Sequence, residues 1–280
     1  MIRTKGETVN TTERMAKLMV ATMIKQLLDG VDVPVRASPG TKLTFMISEN
    51  AKALTEVDRK VFHTQVAKLL FLSKRARPDI LTVVSFLCTR VQTATTEDQA
   101  KLNRVLGYLK GTQDRVLLLR SQEKSEVRAY VDAAYALHND SKSHSGVALY
   151  VGKTLVYVSS KKQKCMSKSP TEAELIALTD NLGFVELFQE FVEFLTMSKQ
   201  KPATIYQDCS AVVTLVTKGG GITRTKHLRA RMNLGKEAVE EKRAFIVHVS
   251  AEEMKADGFS KPYDPAEHKL FAEMIQGETG

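Results

Sequence analysis

The sequence predicts an α/β protein in two parts, a mainly α-helical segment over residues 1–122 and a strand-rich segment over 123–280. Three observations predict this. Apolar residues recur at helical spacing in four runs before residue 112. From Val127 onward, short strand-like runs alternate with helical ones in the order β-β-β-α-β-α-α-β-α. Between the two patterns, Ser121-Gln122-Glu123-Lys124-Ser125 is a polar stretch flanked by apolar runs.

A chain of 280 residues suffices for one large domain or two ordinary ones, each with its own core. A hydrophobic content of 43% with 26% charged residues is ordinary for a globular protein. The net charge of +9 favours a polyanionic partner, the alternative being a merely soluble basic surface. Cys88, Cys165 and Cys209 lie far apart with no CxxC pair, which argues against a zinc module or a disulfide framework and for a reducing compartment. Met1 to Asn10 is polar and lacks the apolar core of a signal peptide. No apolar run approaches the roughly 20 residues a membrane span needs. A soluble intracellular protein with no membrane partner is expected.

In the first segment, Thr11 or Thr12 can cap a helix carrying Met15, Leu18, Met19, Met23, Leu27 and Leu28, which Gly30 ends. Residues 31–50 are irregular, with a turn at Pro39-Gly40. Val61, Phe62, Val66, Leu69 and Leu70 mark a second helix. A third begins at Pro78, where proline suits the first turn, and a fourth opens at Thr95 or Thr96 and stops at Gly111. No chemistry stands out here, and the segment reads as a subdomain that supports or positions something else.

In the second segment, strands are expected near 126–136, 145–150 and 155–159, the last two joined by a Gly152-Lys153 hairpin turn. A long helix over 170–198, with a break near Gly183, precedes a strand at 204–207 and a short helix at 210–217. After Gly219-Gly220-Gly221 come a basic helix near 225–241, a strand at 245–249 and a helix near 251–259.

Four acids sit beside these elements. Asp132 ends the first strand and Asp208 the fourth, Glu174 lies in the opening turns of the long helix, and Asp257 stands in Lys255-Ala256-Asp257-Gly258. Ser169-Pro170-Thr171-Glu172 has the form of a capping box, which gives Glu172 a structural task and leaves Glu174 free for chemistry. Each acid alone reads as a strand terminus, a helix cap or a solvated side chain. Together they have the form of a two-metal site, in which clustered carboxylates repel one another and hard divalent cations relieve the repulsion. Gly219-Gly220-Gly221 lacks the pattern of a phosphate-binding P-loop. Thr223 to His227 stands at a helix start rich in donors, a site suited to phosphate, and His227 is a candidate for proton transfer or product release.

The chain resembles the ribonuclease H domain of Ty1/copia-type retrotransposon Pol polyproteins. The resemblance is carried by Tyr130-Val131-Asp132-Ala133, Lys142 to Gly146, Ser159 to Lys164, Thr171 to Glu174, Tyr206-Gln207-Asp208 and Arg224 to His227. It closes with Ala256-Asp257-Gly258-Phe259-Ser260-Lys261-Pro262. Upstream, Arg77-Pro78-Asp79-Ile80 and Arg104 to Thr112 resemble the segment joining that family's reverse transcriptase to its ribonuclease H. The resemblance implies a ribonuclease H-like fold with a five-stranded mixed sheet and flanking helices. It also implies cleavage of the RNA strand of an RNA–DNA hybrid with two Mg²⁺ ions, Mn²⁺ being able to substitute. Asp132, Glu174, Asp208 and Asp257 take the metal-binding roles, and His227 falls on the family's T-K-H motif. The implied partners are the hybrid and the rest of the polyprotein. The implied location is the cytoplasm, within a virus-like particle where the element is intact, or the nucleus.

Lys161, Lys162, Lys164, Arg224, Lys226, Arg229 and Arg231 are the cations expected to grip hybrid phosphates. The chain departs from the family at Ala134, where an acid or serine is common, at Ser260 for threonine and at Tyr263 for leucine. No Tyr-x-Asp-Asp polymerase motif occurs, so DNA synthesis by this chain is not expected, and a polyprotein fragment or a degenerate genomic copy is. The alternative function is an inactive nucleic-acid-binding remnant, for which four intact carboxylates would be unnecessary.

Overall fold

A computed structural model of the chain describes residues 11–119, 126–218 and 226–276. It divides into two compact units, Met1–Ser121 with Pro262–Gly280, and Gln122–Lys261.

The first unit is helical. Helices α1 (Thr11–Leu28), α2 (Glu56–Arg75), α3 (Leu81–Arg90) and α4 (Thr96–Gly111) fall on the four apolar runs. Thr55 caps α2 by accepting from the Asp58 N–H at 3.1 Å. Thr95 and Asp98 form a reciprocal capping box at α4. Phe62, Val66 and Leu69 of α2, Val84 and Leu87 of α3, and Leu102 and Val105 of α4 are buried in its core. Pro78 opens a 3₁₀ turn rather than the helix itself, which starts at Leu81. Arg77, wholly buried, pairs with Asp79 at 2.8 Å, and the Tyr108 hydroxyl donates to the same carboxylate at 2.7 Å.

The sequence assigns everything after residue 122 to the second segment, and the structure corrects that boundary. Residues from Pro262 on pack with the first unit, through α9 (Pro265–Gln276), a helix the sequence reading leaves out. The physical reason is a buried face made of His268, Phe271, Ala272 and Ile275, anchored where His268 Nε2 donates to the Asp79 carbonyl at 2.9 Å.

The second unit is a five-stranded mixed sheet with flanking helices, the ribonuclease H-like fold. Strands β1 (Val127–Ala134), β2 (His144–Val151), β3 (Thr154–Lys162), β4 (Ala203–Gln207) and β5 (Ala244–His248) lie in the order β3-β2-β1-β4-β5. The first three are antiparallel, while β4 runs parallel to β1 and β5 parallel to β4. The β2–β3 turn is tight, with Gly152 in the left-handed region at φ 57°. Helix α5 (Pro170–Thr196) packs on β1 and β2, and its Leu175, Leu178 and Leu182 join Ala129 and Val131 in the core. Helices α6 (Ser210–Thr217) and α7 (Lys226–Glu240) complete that layer. Residues two apart share a sheet face, so Asp132 points away from Val131. Its own face is covered by a one-turn helix, α8 (Asp257–Ser260).

Two expectations differ from the outcome. Helix α5 runs unbroken through Gly183, and the helix expected near 251–259 is a 3₁₀ turn at Ala251–Glu253 followed by α8. The close approach of α8 to β2 rests on Gly146, where an added Cβ would lie 2.6 Å from the Ala256 carbonyl oxygen and the Ser260 nitrogen. No helix among the described residues is long and apolar enough to cross a membrane.

Candidate metal centre

Asp132 leaves the sheet near the end of β1, paired across to Gly146. Asp208 follows β4, the parallel neighbour of β1, so the two acids emerge side by side at the strands' C-terminal ends. Glu174 is carried by the second turn of α5. Ser169 caps that helix by accepting from the Glu172 N–H at 3.2 Å, and the Glu172 carboxylate accepts from the Lys168 N–H at 2.9 Å. The cap therefore occupies Glu172 and leaves Glu174 to face the sheet. One carboxylate oxygen from each of Asp132, Glu174 and Asp208 lies within 4.8 Å of the others.

Neighbouring groups hold these acids in place. Glu174 Oε1 accepts from the Ala133 N–H at 3.1 Å, and its Oε2 accepts from Gln207 Nε2 at 3.2 Å. Gln207 is fully buried, and its Oε1 accepts from the Cys209 N–H at 3.2 Å. The Ser260 hydroxyl, on α8, donates to Asp132 Oδ2. Asp257 opens α8 and lies outside the triad, its Oδ1 2.6 Å from the Lys261 ammonium.

The cluster carries more negative charge than its surroundings compensate. Burial, then the charge of Asp257, pushes Asp132 up to about 6, against the Ser260 hydrogen bond. Burial, then the charges of Asp132 and Asp208, pushes Glu174 up to about 10. Asp208 is raised by burial and by Asp257, with Lys261 opposing. A set of hard oxygen donors left short of positive charge fits divalent cations such as Mg²⁺ or Mn²⁺, which take carboxylate ligands.

The cations named from sequence do not share one situation. Lys161, Lys164 and Arg229 are exposed. Lys162 is 2.8 Å from Asp140. Arg231 reaches Thr179 at 2.7 Å and Asp180 at 2.5 Å, so it ties α7 to α5. Arg224 and the side chains of Lys226 and His227 lie outside the described residues. His138, in the loop after β1, is buried and meets His144 at 3.0 Å.

Gln207 is the site residue that sequence reasoning misses. Its signal is register: Ala203, Ile205 and Gln207 occupy the buried positions of β4, so the glutamine faces the core layer where Glu174 waits.

No family model matches the chain. Curated homologues of the chain are copia-type retrotransposon Pol polyproteins. It is 28% identical over 252 residues to that of transposon RE1 of Arabidopsis thaliana, covering 88% of this chain. It is 28% identical over 200 residues to that of RE2 from the same plant, and 26% over 215 residues to that of TNT 1-94 from Nicotiana tabacum, covering 71% and 76% of the chain. The chain spans only 14–16% of these polyproteins' own lengths. Among solved structures, RNase H1 from the archaeon Halobacterium salinarum is 18% identical, with 49% of this chain and 94% of that one covered and a TM-score of 0.37. LC11-RNase H1 in complex with an RNA/DNA hybrid is 16% identical, with 48% and 93% covered and a TM-score of 0.38.

Proposed function

We propose that residues 122–261 are a ribonuclease H domain that hydrolyses the RNA strand of RNA–DNA hybrids, with Asp132, Glu174 and Asp208 holding two Mg²⁺ ions and Asp257 completing the set. The observation that carries this reading is the convergence of three carboxylates from β1, α5 and the end of β4 to within 4.8 Å. The homology to Pol polyproteins supports it, and the remainder of such a polyprotein is the partner it assigns to this chain.

Acids this short of compensating charge repel one another and a phosphate backbone, so hydrolysis here relies on cations. Asp132, Glu174 and Asp208 would hold the divalent ions, which would supply charge neutralisation and Lewis-acid activation of water. The protein supplies the rest. Gln207 and the Ala133 N–H fix both oxygens of Glu174, and Ser260 fixes Asp132. These bonds set the donors before substrate arrives, which lowers the reorganisation needed at the reacting phosphate. Lys161, Lys164 and Arg229, exposed on the same unit, grip phosphates, and affinity falls as salt rises. Contacts to 2′-hydroxyls in the minor groove distinguish RNA from DNA.

The test is cleavage of a hybrid with labelled RNA by the full chain, with Mg²⁺ and with chelator. Cleavage is expected in Mg²⁺ alone, and Asp132→Asn should bind the hybrid without cutting it. Undiminished cleavage by that variant overturns the reading. Binding without cleavage by the unaltered chain would make it a nucleic-acid-binding remnant.

A further inference from the structure

The second half of α5 carries three stripes. Val185, Gln189 and Val192 are buried toward the sheet. Glu186, Glu190 and Glu193 make an acidic stripe beside them. Phe184, Leu187, Phe188, Phe191, Phe194 and Leu195 recur at spacings of three and four and line a third, apolar side. An amphipathic helix of a folded domain leaves this side polar. Here Leu187 is 62% exposed, Phe191 50%, Phe194 69% and Leu195 62%. The stripe is also ordered in advance. Ring centroids step from Tyr157 on β3 to Phe184 at 4.4 Å, on to Phe188 at 6.2 Å and on to Phe191 at 6.0 Å.

We propose that this stripe is the contact surface between two copies of the chain, with their α5 helices packed antiparallel about a two-fold axis at Phe191. The inference stands independently of any nuclease activity. Two features choose a second copy as the occupant. The first is register: antiparallel packing about Phe191 sets Leu187 against Leu195 of the copy, Phe188 against Phe194 and Phe191 against itself, so the central steps of the stripe are apolar on both sides, as a self-complementary interface requires. The second is area. The stripe leaves on the order of 500 Å² of apolar surface open, near the top of what monomers tolerate and enough for the apolar centre of an interface burying about 800 Å² per partner. The neighbouring glutamates disfavour an anionic lipid surface.

The experiment is sedimentation velocity on the full chain across a concentration series, with Phe191→Glu, Phe194→Glu and, as a control, Val57→Glu on α2, where Val57 is 73% exposed. The unaltered chain should pass from monomer to dimer and stop there, as a closed two-fold does. Either phenylalanine substitution should weaken the dimer at least ~30-fold, a loss of the size seen at interface hot spots. The control should leave the dimer unchanged, and all variants should keep the unaltered chain's circular dichroism. A chain that is monomeric throughout, a dimer indifferent to both glutamates, or assembly that grows beyond the dimer overturns the proposal. So does a monomer whose binding to neutral-lipid vesicles is lost in Phe191→Glu, since that gives the stripe to a membrane.

Discussion

Gln207 donates to Glu174 from Nε2 and accepts from the Cys209 N–H at Oε1. One buried amide thus sets a carboxylate from α5 and shapes the turn that carries Asp208. Gln207→Leu removes both bonds while keeping the volume close. It should weaken divalent-ion affinity by about 10–100-fold, the usual cost of losing an outer-shell partner, with hybrid affinity in chelator unchanged. Calorimetric titration with Mn²⁺ checks the first and fluorescence anisotropy the second. The acids themselves predict a pH dependence. Asp132 and Glu174 have folded-state pKa values above their ordinary ones, near 6 and near 10 against 3.8 and 4.5. Between the ordinary and the raised value the folded state holds more protons than the unfolded one. Stability without metal is therefore fully present below about pH 4 and is lost as pH rises through the raised values. Mg²⁺ should accordingly raise Tm more at pH 8 than at pH 5.5. Asp132→Asn, which removes one repelling charge, should raise the metal-free Tm at pH 8 and shrink the Mg²⁺ response. A response equal at both pH values in thermal melts contradicts the charge account.

Among the elements, α5 and α8 show what a single glycine does in opposite settings. An added Cβ at Gly183, in the middle of α5, meets nothing within 4 Å. Gly183→Ala should stabilise the chain by about 0.5–1 kcal/mol in chemical denaturation, the ordinary gain of alanine over glycine inside a helix. This is also why the break expected from sequence does not occur. Glycine costs a helix only about 1 kcal/mol, and burial of Leu182 and Val185 on either side outweighs it. Gly146 is the reverse case, since its Cβ would strike the backbone of Ala256, Phe259 and Ser260. Gly146→Ala should destabilise by about 1–3 kcal/mol and, by lifting α8, move Ser260 away from Asp132. Hybrid cleavage should fall further than the lost stability explains, which comparison at a temperature well below Tm will show.

Over the whole molecule, the elements that sequence makes legible are those with a period. Four helical runs, the β2–β3 hairpin and the capped start of α5 announce themselves by spacing, turn glycines and Ser169-Pro170. So do three of the four acids as a cluster, because two strand ends and the second turn of α5 meet at one end of the sheet. What is not legible depends on partners distant in sequence. Helix α9 has only four well-buried apolar or aromatic positions, and its place is decided by Asp79 and Tyr108, far back in the chain. Asp257 pairs with Lys261 while its charge still raises Asp132 and Asp208, a pairing spacing does not reveal. That Arg231 also ties α7 to α5 through Asp180 and Thr179 is likewise a pairing between distant residues. The net charge of +9 acts at this scale too. Replacing Lys161 and Lys164 together with alanine should weaken hybrid binding for every sequence alike. It should also reduce the slope of log affinity against log salt by roughly 2.

The most direct measurement is the number of Mn²⁺ ions bound per chain in the presence of a hybrid whose RNA strand resists cleavage. The account predicts two, falling in Asp132→Asn. Binding of no ion, or of as many ions to Asp132→Asn as to the unaltered chain, contradicts the claim that these carboxylates form a metal centre.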